Sequence, residues 1–149
     1  MTKKALLVII ISFTLPLLAL MACNNKTASE PTLLFHENGC SYSGPTAVAS
    51  IFNLTWIIED SGHSAYIYAI VTLDQGKSVH DLAVIPAEDP APSWVHKLNY
   101  DLETTPGTFT ISSDLSENAS FQEGPIYIVC FYADQNTAIG AVGPIEVKE

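Results

Sequence analysis

The residues that could carry chemistry in this chain are few and scattered. Gly39-Cys40-Ser41-Tyr42-Ser43 begins like the G-x-S-x-G turn that presents a serine nucleophile, but Ser43 stands where the last glycine is required. That turn also needs a strand running into a helix, so a serine hydrolase is disfavoured. Four histidines, His36, His63, His80 and His96, include no pair at the i, i+4 spacing of a helical zinc site. His96 alternates with apolar residues and reads as a satisfied, partly buried histidine. Asp134-x-Asn136 starts like a calcium loop, but Ala138 breaks the ligand pattern. Asp101 and Glu103 are the best acid pair for a hydrolytic alternative, yet they lie two apart on one strand face, as solvated carboxylates do. No cofactor and no metal site is expected.

The three cysteines depend on where the chain resides. Met1-Thr2-Lys3-Lys4 is a short basic start, followed by an apolar run from Ala5 to Ala22 interrupted by Ser12, Thr14 and Pro16. The run is shorter than the roughly 20 residues of a spanning helix, and it ends in small residues as secretory signals do. Leu20-Met21-Ala22-Cys23 resembles the lipobox of bacterial lipoproteins. The resemblance implies cleavage before Cys23, with a diacylglycerol thioether on its sulfur and an acyl group on its new amine. An uncleaved anchor helix is the alternative. Residues 1–22 are then a signal peptide and 23–31 a polar tether. Asn24 at the second mature position leans toward the outer membrane of the cell envelope in a diderm host. With Cys23 given to lipid, Cys40 and Cys130 form an even pair outside the cytoplasm, either bridged or as two free thiols. A bridge would close a loop of about 90 residues and so remove conformational entropy from the unfolded chain.

Charge narrows the partners. The chain has six Lys, no Arg and sixteen acidic residues. After residue 22 there are four Lys against sixteen acids, a formal charge of −12. Nucleic acid is excluded, because phosphate recognition needs cations to displace counterions. An acidic surface also repels anionic lipid and polysaccharide, so a cationic or neutral protein or glycan is the expected partner.

The elements that must position these groups are strands. From residue 32 the hydrophobic period is two. Val48, Ser50, Phe52, Leu54, Trp56 and Ile58 share one face of a long strand, and residues 64–73 are apolar on both faces. Gln75-Gly76 is a turn, residues 79–85 read as a shorter strand, and the three prolines of 86–92 must leave the sheet. Trp94, His96, Leu98, Tyr100 and Leu102 alternate as the buried face of a strand whose other face is Val95, Lys97, Asn99, Asp101 and Glu103. Pro106-Gly107 turns the chain into a short strand at Phe109 and Ile111. Residues 38–44 and 114–124 read as loops. Residues 126–133 and 139–147 are the last strands, with Tyr127, Val129, Phe131 and Ala133 as the expected core face. With a weak strand at Leu33–His36 the total is eight. Many short strands with frequent turns mean an all-β sandwich or barrel.

Gly124 to Asn136, followed by Gly140, is similar to the last two strands of immunoglobulin-like and fibronectin type III-like domains, where a Tyr-initiated apolar strand enters an Ala-Asp hairpin. The resemblance implies an immunoglobulin-like antiparallel β-sandwich of seven to eight strands over residues 32–149. It departs from antibody-type domains in the spacing of Tyr127 to Cys130 and in the strand that carries Trp56. The same connectivity would bring Glu59, Asp60 and Asp134 to one end as weak calcium candidates. The expected function is a lipid-anchored, non-catalytic binding, adhesion or assembly module. A small extracytoplasmic hydrolase and a structural envelope subunit are the rivals.

Overall fold

The alternation of apolar and polar residues after residue 31 is realised as two stacked sheets. The structure is a computed structural model describing residues 29–59, 62–87, 91–118, 121 and 124–148. The lipobox, Cys23 and Asp60 lie outside the described residues. The four-stranded sheet has the order β2-β1-β4-β7, built from β1 (Thr32–His36), β2 (Gly39–Ser43), β4 (Ile51–Ile58) and β7 (Gly107–Asp114). The five-stranded sheet has the order β3-β9-β8-β5-β6, from β3 (Ala47–Ala49), β5 (Tyr66–Leu73), β6 (Val95–Glu103), β8 (Ile126–Tyr132) and β9 (Gly140–Lys148). This is an all-β sandwich. It has nine described strands where the sequence indicated eight, and two of its strand pairs, β1/β4 and β3/β9, are parallel.

Between the sheets lie Leu33, Phe35, Leu54, Trp56, Tyr66, Tyr68, Ile70, Ile126, Ile128, Cys130 and Tyr132, all buried. The aromatic members meet edge-on, with Trp56 against Tyr68 at 4.9 Å and Phe35 against Tyr66 at 5.8 Å between ring centroids. Such pairs add to the burial of their area. A second cluster, Ala69, Val71, Leu82, Ile85, Val95, Tyr127 and Val129, sits on the outer face of the five-stranded sheet. It is covered by α1 (Val79–Leu82) and the residues after it. Burial on both faces explains why β5 and β8 carry near-continuous apolar runs.

Several local expectations are corrected. Residues 38–44 are not a loop, since β2 pairs antiparallel with β1 around Glu37-Asn38. Its polar residues mark an edge strand, which the alternation rule undervalues. The stretch 48–58 is not one strand. It breaks at Ser50, where the chain leaves one sheet for the other, although the expected inward face is kept by Val48, Leu54, Trp56 and Ile58. Residues 79–82 form a helical turn rather than a strand. There the Asp81 carboxylate accepts hydrogen bonds from the Ser78 backbone N–H at 2.9 Å and from its hydroxyl at 3.0 Å. Those bonds hold the Asp81 pKa below the usual carboxylate range and favour the turn as N-terminal capping does. In β8 the assignment is reversed: Ile126, Ile128, Cys130 and Tyr132 face the inter-sheet core, while Tyr127, Val129 and Phe131 face the outer cluster. A strand apolar on both sides carries no sign of which face is central.

The core also contains a polar orphan. Among the described residues the Tyr68 hydroxyl has no hydrogen-bond partner, although it is buried. Burial first, and the Asp101 carboxylate second, push its pKa far above the ordinary phenol value. An unfolded chain ionises this phenol near pH 10, whereas the folded one does not. The contribution is therefore complete below that pH and is lost as pH rises toward the folded pKa. Tyr68→Phe removes an unsatisfied group without emptying the site. It is expected to leave stability at pH 7 unchanged or raised by about 1 kcal/mol, and to make the folded state more resistant to unfolding above pH 10. Urea melts at pH 7 and pH 11 measure both; a loss above about 1 kcal/mol at pH 7 contradicts the orphan assignment.

Candidate functional site

One end of the five-stranded sheet opens into a groove of 730 Å³. It forms where β5 ends, β6 begins and the chain enters β8. Thr72, Asp74, Gln75, Lys77, His96 and Tyr127 line it. Gly76, with φ +86, makes the tight turn that brings Lys77 back toward the sheet. The Asp74 carboxylate and His96 Nε2 are 2.7 Å apart, and the carboxylate is exposed. Lys77 lies 3.6 Å from the Asp81 carboxylate and stands over the Trp94 ring at 4.7 Å. The groove therefore presents a carboxylate–imidazole pair, an amide, a hydroxyl and an aromatic wall. These suit a neutral polar ligand bound by hydrogen bonds. His96 is half-buried and paired with Asp74, a satisfied, partly buried histidine as its place in the alternation indicates, and it lines this groove.

At the opposite end, His63 stacks on Tyr132 with 3.6 Å between ring centroids. Its Nδ1 lies 2.9 Å and 3.0 Å from the two Asp134 carboxylate oxygens. The hydrogen bond from His63 is the main cause holding the Asp134 pKa down. Tyr132 donates its hydroxyl hydrogen bond to the His36 carbonyl, so the stack fixes the turn between β1 and β2. Beside it, Cys40 and Cys130 are disulfide-bonded, with Cα atoms 6.4 Å apart, inside the range a bridge permits. Glu59 is exposed where β4 ends. Asp134 engages His63, and among the described residues no group of three His, Cys, Asp or Glu is placed to hold a metal ion.

The outer face of β6 departs furthest from the alternation read in the sequence. Ile70 pairs with Asn99 and Val71 with Lys97, so Leu98 is an extra residue and the ladder shifts there. A bulge of this kind reverses the phase of the strand beyond it. Val95 is buried, Tyr100 and Leu102 are 60% and 47% exposed, and Asp101 and Glu103 lie opposite Tyr68 and Tyr66 on the inward-facing side at the open edge. The acid pair is thus not on the solvent face. The Asp101 carboxylate instead accepts the backbone N–H of Leu102 at 2.9 Å, and Asn99 Oδ1 accepts that of Tyr100 at 2.8 Å. Two amides of this edge strand are thereby occupied by the strand's own side chains, which blunts pairing with another strand.

The sequence points to Cys40 and Cys130 as a pair, which the bridge realises, but not to Asp74, Gln75 and Lys77 as a group. The Asp-Gln-Gly-Lys turn was the available signal. Compared with protein-family models, with curated proteins and with solved structures, the chain matches none.

Proposed function

We propose that the chain is a lipoprotein of the bacterial cell envelope, anchored through acylated Cys23, whose sandwich is a non-catalytic binding module. The observation that carries the reading is the distribution of the cysteines. Cys40 and Cys130 are consumed by one bridge, as suits an oxidising compartment. That leaves Cys23, in Leu20-Met21-Ala22-Cys23, as the one thiol available to lipid. Two or three acyl chains, at about 0.8 kcal/mol per buried methylene, are enough for stable membrane retention.

The binding role rests on the groove around Asp74 and His96. Its polar groups sit on a rigid sheet end and on the turn leaving it, the usual arrangement for recognition. Among the described residues neither His96 nor His63 is hydrogen-bonded to a hydroxyl or thiol that it could activate as a nucleophile. The ligand class that fits is a neutral glycan or a polar protein segment.

Cys23→Ala is expected to move the protein from the membrane fraction to the soluble fraction, with loss of the acyl mass increment from the mature chain. Fractionation with intact-mass analysis measures this, and unchanged retention of the variant would overturn the anchor. A pull-down from detergent-solubilised envelopes with wild type and Asp74→Ala tests the groove. A partner retained equally by both places binding elsewhere.

A further inference from the structure

The strands that end the two sheets, β2, β7, β3 and β6, are not protected alike. β3 is only three residues long. β2 is approached by Gly140, where an added Cβ would lie 3.3 Å from the Cys40 backbone nitrogen. β6 engages the amides of Tyr100 and Leu102 with its own Asn99 and Asp101 side chains. β7 has none of the features that blunt an edge. It pairs with β4 over eight residues without a bulge, and from Gly107 to Ser113 it has no charge and no proline. The Leu115 N–H donates to the Ser50 carbonyl at 2.9 Å. That bond sets the ladder, so Phe109, Ile111 and Ser113 turn their amides and carbonyls toward β4, and Thr108, Thr110 and Ser112 turn theirs outward. Among the described residues no strand lies on that outer side.

Beside this edge stands charge from the other sheet. Asn99 Nδ2 donates to Ser113 Oγ at 3.2 Å, which lays β6 over β7. On the same side of β6 as Asn99 are Asp101 and Glu103, both half-buried. Every lysine after residue 31 lies elsewhere: Lys77 by Trp94, Lys97 by Tyr100 on the outer face, and Lys148 beside β3.

We infer that β7 accepts an added strand from another protein, an extended segment with lysine or arginine at alternate positions. The outward amides and carbonyls of Thr108, Thr110 and Ser112 supply the hydrogen bonds, as in strand addition to open edges generally. Side chains of an added strand alternate between the two faces of the sheet. In antiparallel pairing, the residues bonded to Thr108, Thr110 and Ser112 share their solvent face. The intervening residues point to the side of Asp101 and Glu103, where a cation is attracted and a carboxylate repelled. They also cover Phe109 and Ile111, which are only partly buried. The same carboxylates disfavour a second copy of this chain. Antiparallel pairing of β7 with itself brings Asp101 and Glu103 of both copies to one face, with no lysine there to offset them. The inference is independent of the proposed anchor and of the Asp74–His96 groove, neither of which involves β7.

Backbone amide resonances of the full, disulfide-bonded chain in nonionic detergent, followed during titration with three capped peptides, test it. The first peptide is Thr-Lys-Val-Lys-Thr-Lys, the second has glutamate for every lysine, and the third has proline for valine. Before any peptide is added, the amides of Thr108, Thr110 and Ser112 are expected to exchange freely with solvent. The lysine peptide is expected to slow that exchange and to saturate their shifts with a midpoint of about 1 mM or lower. The proline peptide lacks the central N–H and is expected to bind more weakly, and the glutamate peptide is expected to give no saturable shift. Asp101→Asn keeps an acceptor for the Leu102 N–H. Combined with Glu103→Gln it is expected to weaken the lysine peptide about fivefold to tenfold, with a thermal melt establishing that the variant folds. Equal binding of the lysine and glutamate peptides, unchanged affinity in the double variant, saturable shifts confined to residues outside β7, or no saturable shift overturns the inference. Slow exchange of the three amides in the free chain, or β7 shifts that follow protein concentration, overturns it as well, because the chain itself or a second copy then covers the edge.

Discussion

Replacing Cys40 and Cys130 together with alanine is expected to lower the unfolding midpoint by roughly 15 °C. The bridge spans a sequence separation of 90 residues. Opening a loop of that length returns about 4–5 kcal/mol of conformational entropy to the unfolded chain at 25 °C. For a domain of this size about 4 °C accompanies each kcal/mol. The bridge also joins the two sheets, because β2 belongs to one and β8 to the other. Around it, a Cβ placed on Gly39 would meet the Ile139 carbonyl at 2.8 Å, and Gly39 has φ +138. The β1–β2 hairpin thus reaches the residue preceding β9 at a point where only glycine fits, and Tyr132 anchors the same turn. Calorimetry of the double variant against oxidised wild type, with reduced wild type as a second comparison, measures the effect. A shift under about 4 °C means that these neighbouring contacts, and not the crosslink, hold the hairpin.

The fold class was legible because period-two patterning is a direct consequence of strand geometry, and it survives wherever one face is wet. Leu54, Trp56 and Ile58 are inward as their alternation requires. Legibility failed where a second buried layer removed the contrast. β8 is apolar on both faces because α1 and the segment after it cover the outer one, so its central face was assigned backwards. It failed again at Leu98. There one extra residue exchanged the faces of the remainder of β6 and turned an expected buried row into the exposed Tyr100 and Leu102. No composition signal marks such a bulge. The charged residues beyond it, Asp101 and Glu103, look solvent-facing by the rule and are drawn inward by the shift. The polar groove was illegible for a different reason. Asp74 and His96 are 22 residues apart and meet only because β5 and β6 are antiparallel neighbours, with Thr72 opposite His96.

Trp56→Ala is expected to be the most destabilising single change at a side chain of the inter-sheet core, at about 3–5 kcal/mol. Trp56 is fully buried and contacts rings from both sheets: Phe35 at 5.9 Å and Phe109 at 5.5 Å on its own, and Tyr68 at 4.9 Å across the core. Its register partners Leu33 and Phe109 flank it within the four-stranded sheet. Truncation therefore leaves a cavity bounded by rigid rings, which collapses poorly. Trp56→Phe behaves differently. Among the described residues the Trp56 indole N–H has no hydrogen-bond acceptor, so phenylalanine removes an unsatisfied donor together with some packing. The two effects oppose each other, and the net cost is expected to stay below about 1.5 kcal/mol. Urea melts monitored by far-ultraviolet circular dichroism give both values without relying on indole fluorescence, to which Trp94 contributes. If Trp56→Phe costs as much as Trp56→Ala, the indole N–H is satisfied in the folded state and its assignment as an orphan donor fails.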